Sequence, residues 1–490
     1  MIRHSTKLIA PFLVLCFFQV VAQPGIKDSI YSQSIKEERR LQIQLPKEYK
    51  PGSGEKYQVL YLLDGEWNAE LFQQVQAWSQ QWGYTPPIIL VGVVNSYPNN
   101  QNQRFRDLTP TVTGPDGSGG GPALLSFLKN ELIPYINKKY PSNGSNILWG
   151  HSLGGLFVLY TLFTEPQLFD SYIAADPAVW WDHGFLLRYA QQKMNSITQI
   201  KSLFITGRTG TALHGMGIDS LEMVLKDKAP ALLQWKVVAY PDETHVSQQY
   251  KSAYDGLKYT VAPQFQQDAI HIDPMEGIVE KGKPFRLSCY NILPDKYIRF
   301  STDGSVPTLS SPAFQSENTI MPSSSGIIIK SFFASDTLNK TIKPLFKIKP
   351  ALTAQQKPAN ALSGGWSYTC YSDSGMKHII KSGITNERLN LNQLNDTSNF
   401  YCRISGFLQT EKEGYYSFQV VGGPGTKLYL NNQLLVETGN YKSFIVPLKK
   451  GFYPIRYEYS HHNGGPDFEF YYLIPGQPEN GAIPSSLMYH

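Results

Sequence analysis

Asn146-Ile147-Leu148-Trp149-Gly150-His151-Ser152-Leu153-Gly154-Gly155-Leu156-Phe157 decides the fold of the first half of this chain. The apolar run 146–149 reads as a buried strand, residues 153–163 read as an apolar helix, and a Gly-x-Ser-x-Gly turn joins them. Such a turn lifts the Ser152 hydroxyl out of a sheet and aims a helix N-terminus at it, as a nucleophile elbow requires. Glycines suit this turn because a Cβ at the crowded positions would block the bend and hold the helix off the strand. The Leu153 amide then faces the place where an oxyanion develops. A second donor is expected from the loop after the strand 57–63, where Glu66 and Trp67 offer their amides.

Outward from this turn, strand-like runs at 41–45, 57–63, 88–93, 146–149, 171–174, 202–206 and 235–240 alternate with helical stretches at 123–137, 153–163, 219–226 and 245–261. That alternation predicts an α/β domain, a mostly parallel sheet covered by helices, spanning residues 23–266. Beyond it the helical periodicity stops and short strands between Gly, Pro, Ser and Asn clusters predict two all-β modules, 267–350 and 366–490. The Pro- and Gly-containing segment 351–365 reads as the linker between them.

A serine is a poor nucleophile unless a base takes its proton, and in an α/β hydrolase that base sits on the loop after the last strand. Asp242-Glu243-Thr244-His245 follows the strand 235–240, so His245 is the candidate base, whereas His151, His183 and His214 come too early in the chain. The orienting acid has three readings. The loop after strand 202–206 reads Gly207-Arg208-Thr209-Gly210-Thr211, without a carboxylate. Asp219 is the leading candidate, with Glu222 behind it, and a Ser-His dyad is the third possibility. Either carboxylate also suits the first turn of the next helix.

Three blocks give the domain a family likeness: Tyr61-Leu62-Leu63-Asp64-Gly65-Glu66, Arg104-Phe105-Arg106-Asp107-Leu108-Thr109-Pro110-Thr111, and Gly150-His151-Ser152-Leu153-Gly154-Gly155. With Asp176-Pro177-Ala178-Val179-Trp180-Trp181-Asp182 and Glu243-Thr244-His245, they resemble the relatives of esterase D, the bacterial feruloyl and acetyl esterases and the trilactone siderophore esterases. The fourth block is similar to the family's Ser-Pro-Ser-Leu-Trp-Trp-Asp segment. The resemblance implies Ser152 and His245 as the catalytic pair, with Arg104 or Arg106 and Trp180 or Trp181 near the substrate. Relatives often carry Gly-x-x-Glu where this chain has Gly207-Arg208-Thr209-Gly210, which implies dyad behaviour.

Residues 298–308 resemble a small module found at the C-terminus of chitobiases, whose usual role is structural. Gly414-Tyr415-Tyr416-Ser417-Phe418, Thr426-Lys427-Leu428-Tyr429-Leu430 and Ile455-Arg456-Tyr457-Glu458-Tyr459 resemble the protective-antigen-type lectin domain, a β-sandwich that often binds glycans. Relatives that use calcium place adjacent aspartates before the Leu-Tyr strand. This chain has Gly422-Gly423-Pro424-Gly425 there, so calcium is not expected.

At 490 residues the chain exceeds what one core usually organises. Its formal charge of +5 comes from scattered Lys and Arg rather than a basic stripe, which argues against a nucleic-acid partner. Arg3, Lys7, the apolar run 8–21 and Val20-Val21-Ala22 predict a signal peptide over 1–22, cleaved after Ala22, and hence a secreted or periplasmic protein. No membrane attachment is then expected, and the oligomeric state is left open. Cys370 and Cys402 can pair in an oxidising compartment or stay as free buried thiols. No metal or organic cofactor is expected, since neither HExxH nor a Cys/His cluster occurs.

Together these features predict a secreted serine carboxylesterase acting on an acetyl or feruloyl ester of a carbohydrate. The alternatives are a siderophore trilactone esterase and, in a different class, a carbohydrate-binding protein with an inactive hydrolase domain. Its partners would be a glycan or small-molecule ester substrate and a polysaccharide held by the C-terminal domain.

Overall fold

The computed structural model describes residues 25–490 apart from 114–116, 262–270, 291–297, 323–325, 333, 335–338, 386–398, 422–423, 439–440, 463–468 and 478–480. The signal peptide expected over 1–22 and Gly422-Gly423 of the calcium-site comparison lie outside the described residues. The chain divides into two compact units, Met1–Ala262 and Pro263–His490.

The first unit holds the strands β1 (Ile26–Ser32), β2 (Glu37–Gln44), β3 (Tyr57–Leu62), β4 (Ile88–Val93), β5 (Ser142–His151), β6 (Ser171–Ala175), β7 (Lys201–Arg208) and β8 (Leu233–Tyr240). They form one sheet in the order β1-β2-β4-β3-β5-β6-β7-β8. β1/β2 and β2/β4 pair antiparallel and all later pairs are parallel, so the sheet is mixed. Burial follows position. β3, β4 and β6 are buried at every residue, as strands covered on both faces must be, while β2 alternates buried and accessible residues near the sheet's edge.

The helices are α1 (Gly65–Gln81), α2 (Arg104–Leu108), α3 (Gly121–Phe127), α4 (Ile133–Lys139), α5 (Leu153–Thr164), α6 (Trp181–Lys193), α7 (Thr211–Met216), α8 (Ile218–Lys228) and α9 (Gln248–Thr260). α3 and α4 are joined through a π-helical turn, Leu128–Leu132, so the stretch expected at 123–137 is one nearly continuous helical run. α5 is buried from Leu153 through Phe163, and its sequence is accordingly apolar all round rather than amphipathic. It packs against the sheet through a core that includes Leu156, Phe157, Leu159, Tyr61, Leu148 and Tyr172. Truncating one such aromatic, Phe157→Ala, would cost about 3–5 kcal/mol.

α2 is a single short turn held from below. Arg39 of β2 reaches Asp107 at 2.5 Å with both side chains buried, and Arg106 pairs bidentately with Glu37 at 2.7 and 3.0 Å. The Arg106 guanidinium, aided by the Ser96 hydroxyl, holds the Glu37 carboxyl down at about 2 against the cost of burial. These ion pairs fix the platform from which Arg104 projects.

The second unit is all β: β9 (His271–Asp273), β10 (Glu276–Val279), β11 (Phe285–Tyr290), β12 (Ile298–Ser301), β13 (Glu317–Ile320), β14 (Ile328–Ser331), β15 (Thr341–Ile342), β16 (Leu345–Ile348), β17 (Trp366–Tyr371), β18 (Ile379–Thr385), β19 (Asn399–Thr410), β20 (Gly414–Val421), β21 (Thr426–Leu430), β22 (Gln433–Thr438), β23 (Tyr441–Leu448), β24 (Gly451–His462), β25 (Glu469–Leu473) and β26 (Met488–Tyr489). A sheet ordered β16-β10-β23-β20-β25 and another built on β18-β17-β19-β24-β21-β22 enclose a core of Phe418, Leu408, Tyr453 and Tyr459.

β10 and β16, expected in a separate module, sit in the same sheet as β20, β23 and β25, because β10 pairs parallel with β23. Segment 351–365 is likewise laid along the sandwich by Leu352 N to Pro447 O at 3.0 Å, a Gln355–Phe452 bridge and a Ser363–Tyr489 bridge. Cys370 and Cys402 face each other across β17 and β19 and form a disulfide.

Candidate active site

β5 runs to His151, and Ser152 stands alone between strand and helix at φ 60°, ψ −114°. A non-glycine residue there costs roughly 1–3 kcal/mol, so the neighbouring backbone has to enforce it. It does so through Ser152 N to Ala175 O (2.9 Å), Ala178 N to Ser152 O (3.0 Å) and Leu156 N to Ser152 O (3.0 Å). The glycines are sterically required. A Cβ on Gly150 would come within 2.4 Å of the Gly154 backbone, and one on Gly155 within 2.9 Å of Pro177 Cα. Leu153 opens α5, so its amide is among the first-turn N–H groups that have no intrahelical acceptor.

His245 lies on the loop between β8 and α9, three residues before the helix begins, where a helix over 245–261 was expected to include it. Thr244 and Ser247 exchange side-chain-to-backbone bonds across the turn (Thr244 N to Ser247 Oγ 2.9 Å, Ser247 N to Thr244 Oγ1 3.0 Å), which fixes the loop and delays the helix. The imidazole Nδ1 meets Asp176 Oδ2 at 2.7 Å, and Arg208 Nε donates to the same oxygen at 2.7 Å. Asp176 is fully buried at the end of β6.

The carboxylate that meets the His245 ring is therefore Asp176 and not the expected Asp219. Asp219 accepts instead from His214 Nδ1 at 2.8 Å and from Ser220 N, on the accessible first turn of α8, where the His214 contact lowers its pKa. Asp176 was visible in the sequence as the first residue of Asp176-Pro177-Ala178, where the family's segment has Ser. It follows a buried strand directly, and that placement is the signal the sequence carries for it. The loop after β7 supplies no carboxylate, yet its Arg208 reaches across to hold Asp176.

Ser152 and His245 line one cavity of about 560 Å³ together with Asp64, Trp67, Leu71, Arg104, His151 and Tyr250. Among the described residues His245 bonds to Asp176 and His151, and a serine–histidine bond in hydrolases commonly tightens only in the Michaelis complex. Arg104 crosses the floor. Its Nε and Nη2 meet Asp64 at 2.7 and 2.9 Å, Nη2 donates to the His151 carbonyl at 3.0 Å, and its guanidinium lies 5.8 Å from the Trp67 ring centre.

The other expected substrate contacts lie elsewhere. Arg106, two residues from Arg104 on the same helical turn, points away from the cavity to Glu37 and Asp107. Trp181 is buried, its Nε1 donating to Thr111 Oγ1 and its ring meeting Phe105 edge-on, and Trp180 is half exposed outside the cavity lining. Of the two expected oxyanion donors after β3, the Trp67 amide is already committed to the Asp64 carbonyl at 3.0 Å. Glu66 turns its carboxylate to Asn95 and the Tyr97 hydroxyl, and only its first-turn amide remains open to the role.

Residues 32–266 match the "Putative esterase" family, and residues 389–486 match the PA14 domain, a protective-antigen-type domain. The chain thus carries an α/β-hydrolase-like esterase domain followed by an all-β region with a PA14 sandwich. Over 111 residues it is 39% identical to the siderophore triacetylfusarinine C esterase of Aspergillus fumigatus, covering 21% of this chain and 38% of that one. Over 184 residues it is 32% identical to the ferri-bacillibactin esterase of Bacillus subtilis, covering 34% and 62%. The chain thus spans between 38 and 62% of the length of these two relatives. A solved IroE-like serine hydrolase from Shewanella oneidensis is 30% identical with a TM-score of 0.44, over 50% of this chain and 81% of that one.

Proposed function

We propose that the N-terminal domain hydrolyses esters through an acyl-enzyme built on Ser152, His245 and Asp176. The observation that carries this is the convergence in one cavity of a serine on a strained strand-to-helix turn and an imidazole whose Nδ1 is held by a buried carboxylate. Because a carboxylate only accepts, Nδ1 carries the proton and Nε2 keeps its lone pair for the Ser152 hydroxyl. Attack of Ser152 Oγ on the ester carbonyl forms a tetrahedral oxyanion beside the Leu153 amide. His245 passes the proton to the leaving alkoxide, and water releases the acid by the same steps.

For the substrate we infer a siderophore trilactone in preference to a carbohydrate ester. The names of the relatives support this, and so do the exposed Trp67 and Tyr250 rings beside Arg104, which suit large aromatic acyl arms. The PA14 match favours the second reading, an acetyl or feruloyl ester on a glycan, with the C-terminal domain holding polysaccharide. The paired His245 and Asp176 weigh against an inactive hydrolase domain. The Cys370–Cys402 disulfide supports export to an oxidising compartment.

The test is initial-rate hydrolysis of p-nitrophenyl acetate, a ferric catecholate trilactone, and acetylated and feruloylated oligosaccharides by the wild-type chain and Ser152→Ala. The expected result is a higher kcat/KM on the trilactone than on any glycan ester, with kcat falling by about 10⁴ or more in the variant. A preference for glycan esters would select the carbohydrate reading, and background rates from both proteins on every substrate would select the inactive binding domain.

A further inference from the structure

His151 sits at the end of β5, immediately before Ser152, and is almost fully buried. Its Nε2 lies 2.6 Å from the backbone carbonyl oxygen of His245, and the two rings are 4.4 Å apart centre to centre. A carbonyl only accepts, so His151 Nε2 carries the proton and donates it. The base thus sits on a loop, 241–247, most of whose residues are exposed, yet it is fastened at two points: its ring by Asp176 and its carbonyl by His151. The strand that delivers the nucleophile also delivers one of these fasteners, in the adjacent residue.

We propose that His151 is a positioning residue of this active site, tethering the His245 carbonyl so that the imidazole is held in the cavity it shares with Ser152. This rests on the assignment of Ser152 and His245 as nucleophile and base. The tether must also be uncharged, since a second cation 4.4 Å from His245 would oppose the imidazolium that forms during attack. Burial first, and His245 second, push the His151 pKa down to about 4, so the ring is neutral at pH 7 with one proton to donate. The charged groups around it are Arg104, which donates to the His151 carbonyl and is itself matched by Asp64, and Asp176 beyond His245.

The side chain can be replaced with or without its donor. His151→Phe keeps the ring and removes the N–H, while His151→Gln places an amide N–H near the position of Nε2. On p-nitrophenyl acetate, Phe should lower kcat about 10- to 100-fold with KM within about twofold, the size expected when a catalytic group loses its alignment. Gln should recover kcat to within about threefold of wild type. If Phe does not fold, judged by its circular dichroism melt, His151→Met makes the same test. Wild-type kcat in the Phe variant, or equal losses in Phe and Gln, would overturn the tether alone provided Ser152→Ala is inactive. Full activity in Ser152→Ala would overturn the nucleophile assignment and the tether with it.

Discussion

Replacing Asp176 by asparagine separates charge from shape at the acid of this site. In the native protein one oxygen, Oδ2, accepts from both His245 Nδ1 and Arg208 Nε, each at 2.7 Å, while Oδ1 is buried and unpartnered among the described residues. Both neighbours donate towards the shared position, so the amide introduced by Asp176→Asn should keep its oxygen there and turn its NH₂ to the Oδ1 side. That orientation preserves the His245 tautomer and removes only the negative charge opposing the imidazolium. A hydrogen bond to a charged group is worth about 1.5–3 kcal/mol, roughly 1 kcal/mol more than a neutral one, which sets a minimum loss of about 5- to 10-fold in kcat. If the amide inverts, Nδ1 must accept, Nε2 takes the proton and the base is disabled, at about 10⁴-fold.

The expected kcat on p-nitrophenyl acetate therefore lies between about 5-fold and 10⁴-fold below wild type, with KM little changed. Folding should survive: the buried NH₂ lacks an acceptor, costing about 1–3 kcal/mol, and the part-exposed Arg208 keeps a hydrogen bond to the amide oxygen while losing its counter-charge. A fluorophosphonate probe read against time should label Ser152 more slowly by a similar factor. Asp219→Asn, on the accessible first turn of α8 and paired with His214 of α7, should leave both rates within about twofold. Wild-type kcat in Asp176→Asn, or an equal loss in Asp219→Asn, would refute the assignment of the acid.

Three further outcomes are expected elsewhere in the molecule. Gly150→Ala should give little soluble, active enzyme, because the added Cβ meets the Gly154 backbone, which has no flexible end to yield; normal yield and esterase rate would contradict the steric argument. His151, neutral in the fold with a pKa near 4 against an ordinary 6.5, binds fewer protons folded than unfolded between those values. Stability should then be fully present above pH 6.5 and fall by about 3 kcal/mol as pH drops from 6.5 to 4, and thermal melts of His151→Gln should lose that part of the slope. Removing the Cys370–Cys402 disulfide, which closes a loop of 32 residues, should destabilise the C-terminal unit by about 3–4 kcal/mol, measured as a downshift of its denaturant midpoint in Cys370→Ala/Cys402→Ala.

Features that depend on neighbours along the chain are legible before it folds. The elbow was legible because a strand, a glycine-lined turn and an apolar helix are contiguous, and the steric demand on Gly150 and Gly155 is met within a few residues and by the adjoining strand end. The late position of His245 followed from chain order. The all-β character beyond residue 266 was equally plain from turn composition, though the sharing of one sheet by β10 and β23 was not, because pairing between strands so distant in sequence leaves no local trace.

The carboxylate beside His245 and the lining of the cavity come from sheet order instead. Asp176 and His245 are 69 residues apart and meet only because parallel pairing sets the ends of β6, β7 and β8 side by side, which also brings in Arg208. Asp219, nearer in sequence to the expected loop, is engaged instead by His214 of the preceding helix, α7. Arg104 and Arg106 are alike in composition, but their separation on a helical turn sends one to the cavity and the other to Glu37. Local sterics are written in consecutive residues, whereas the convergence of charged side chains depends on sheet order, which exists only once the chain has folded.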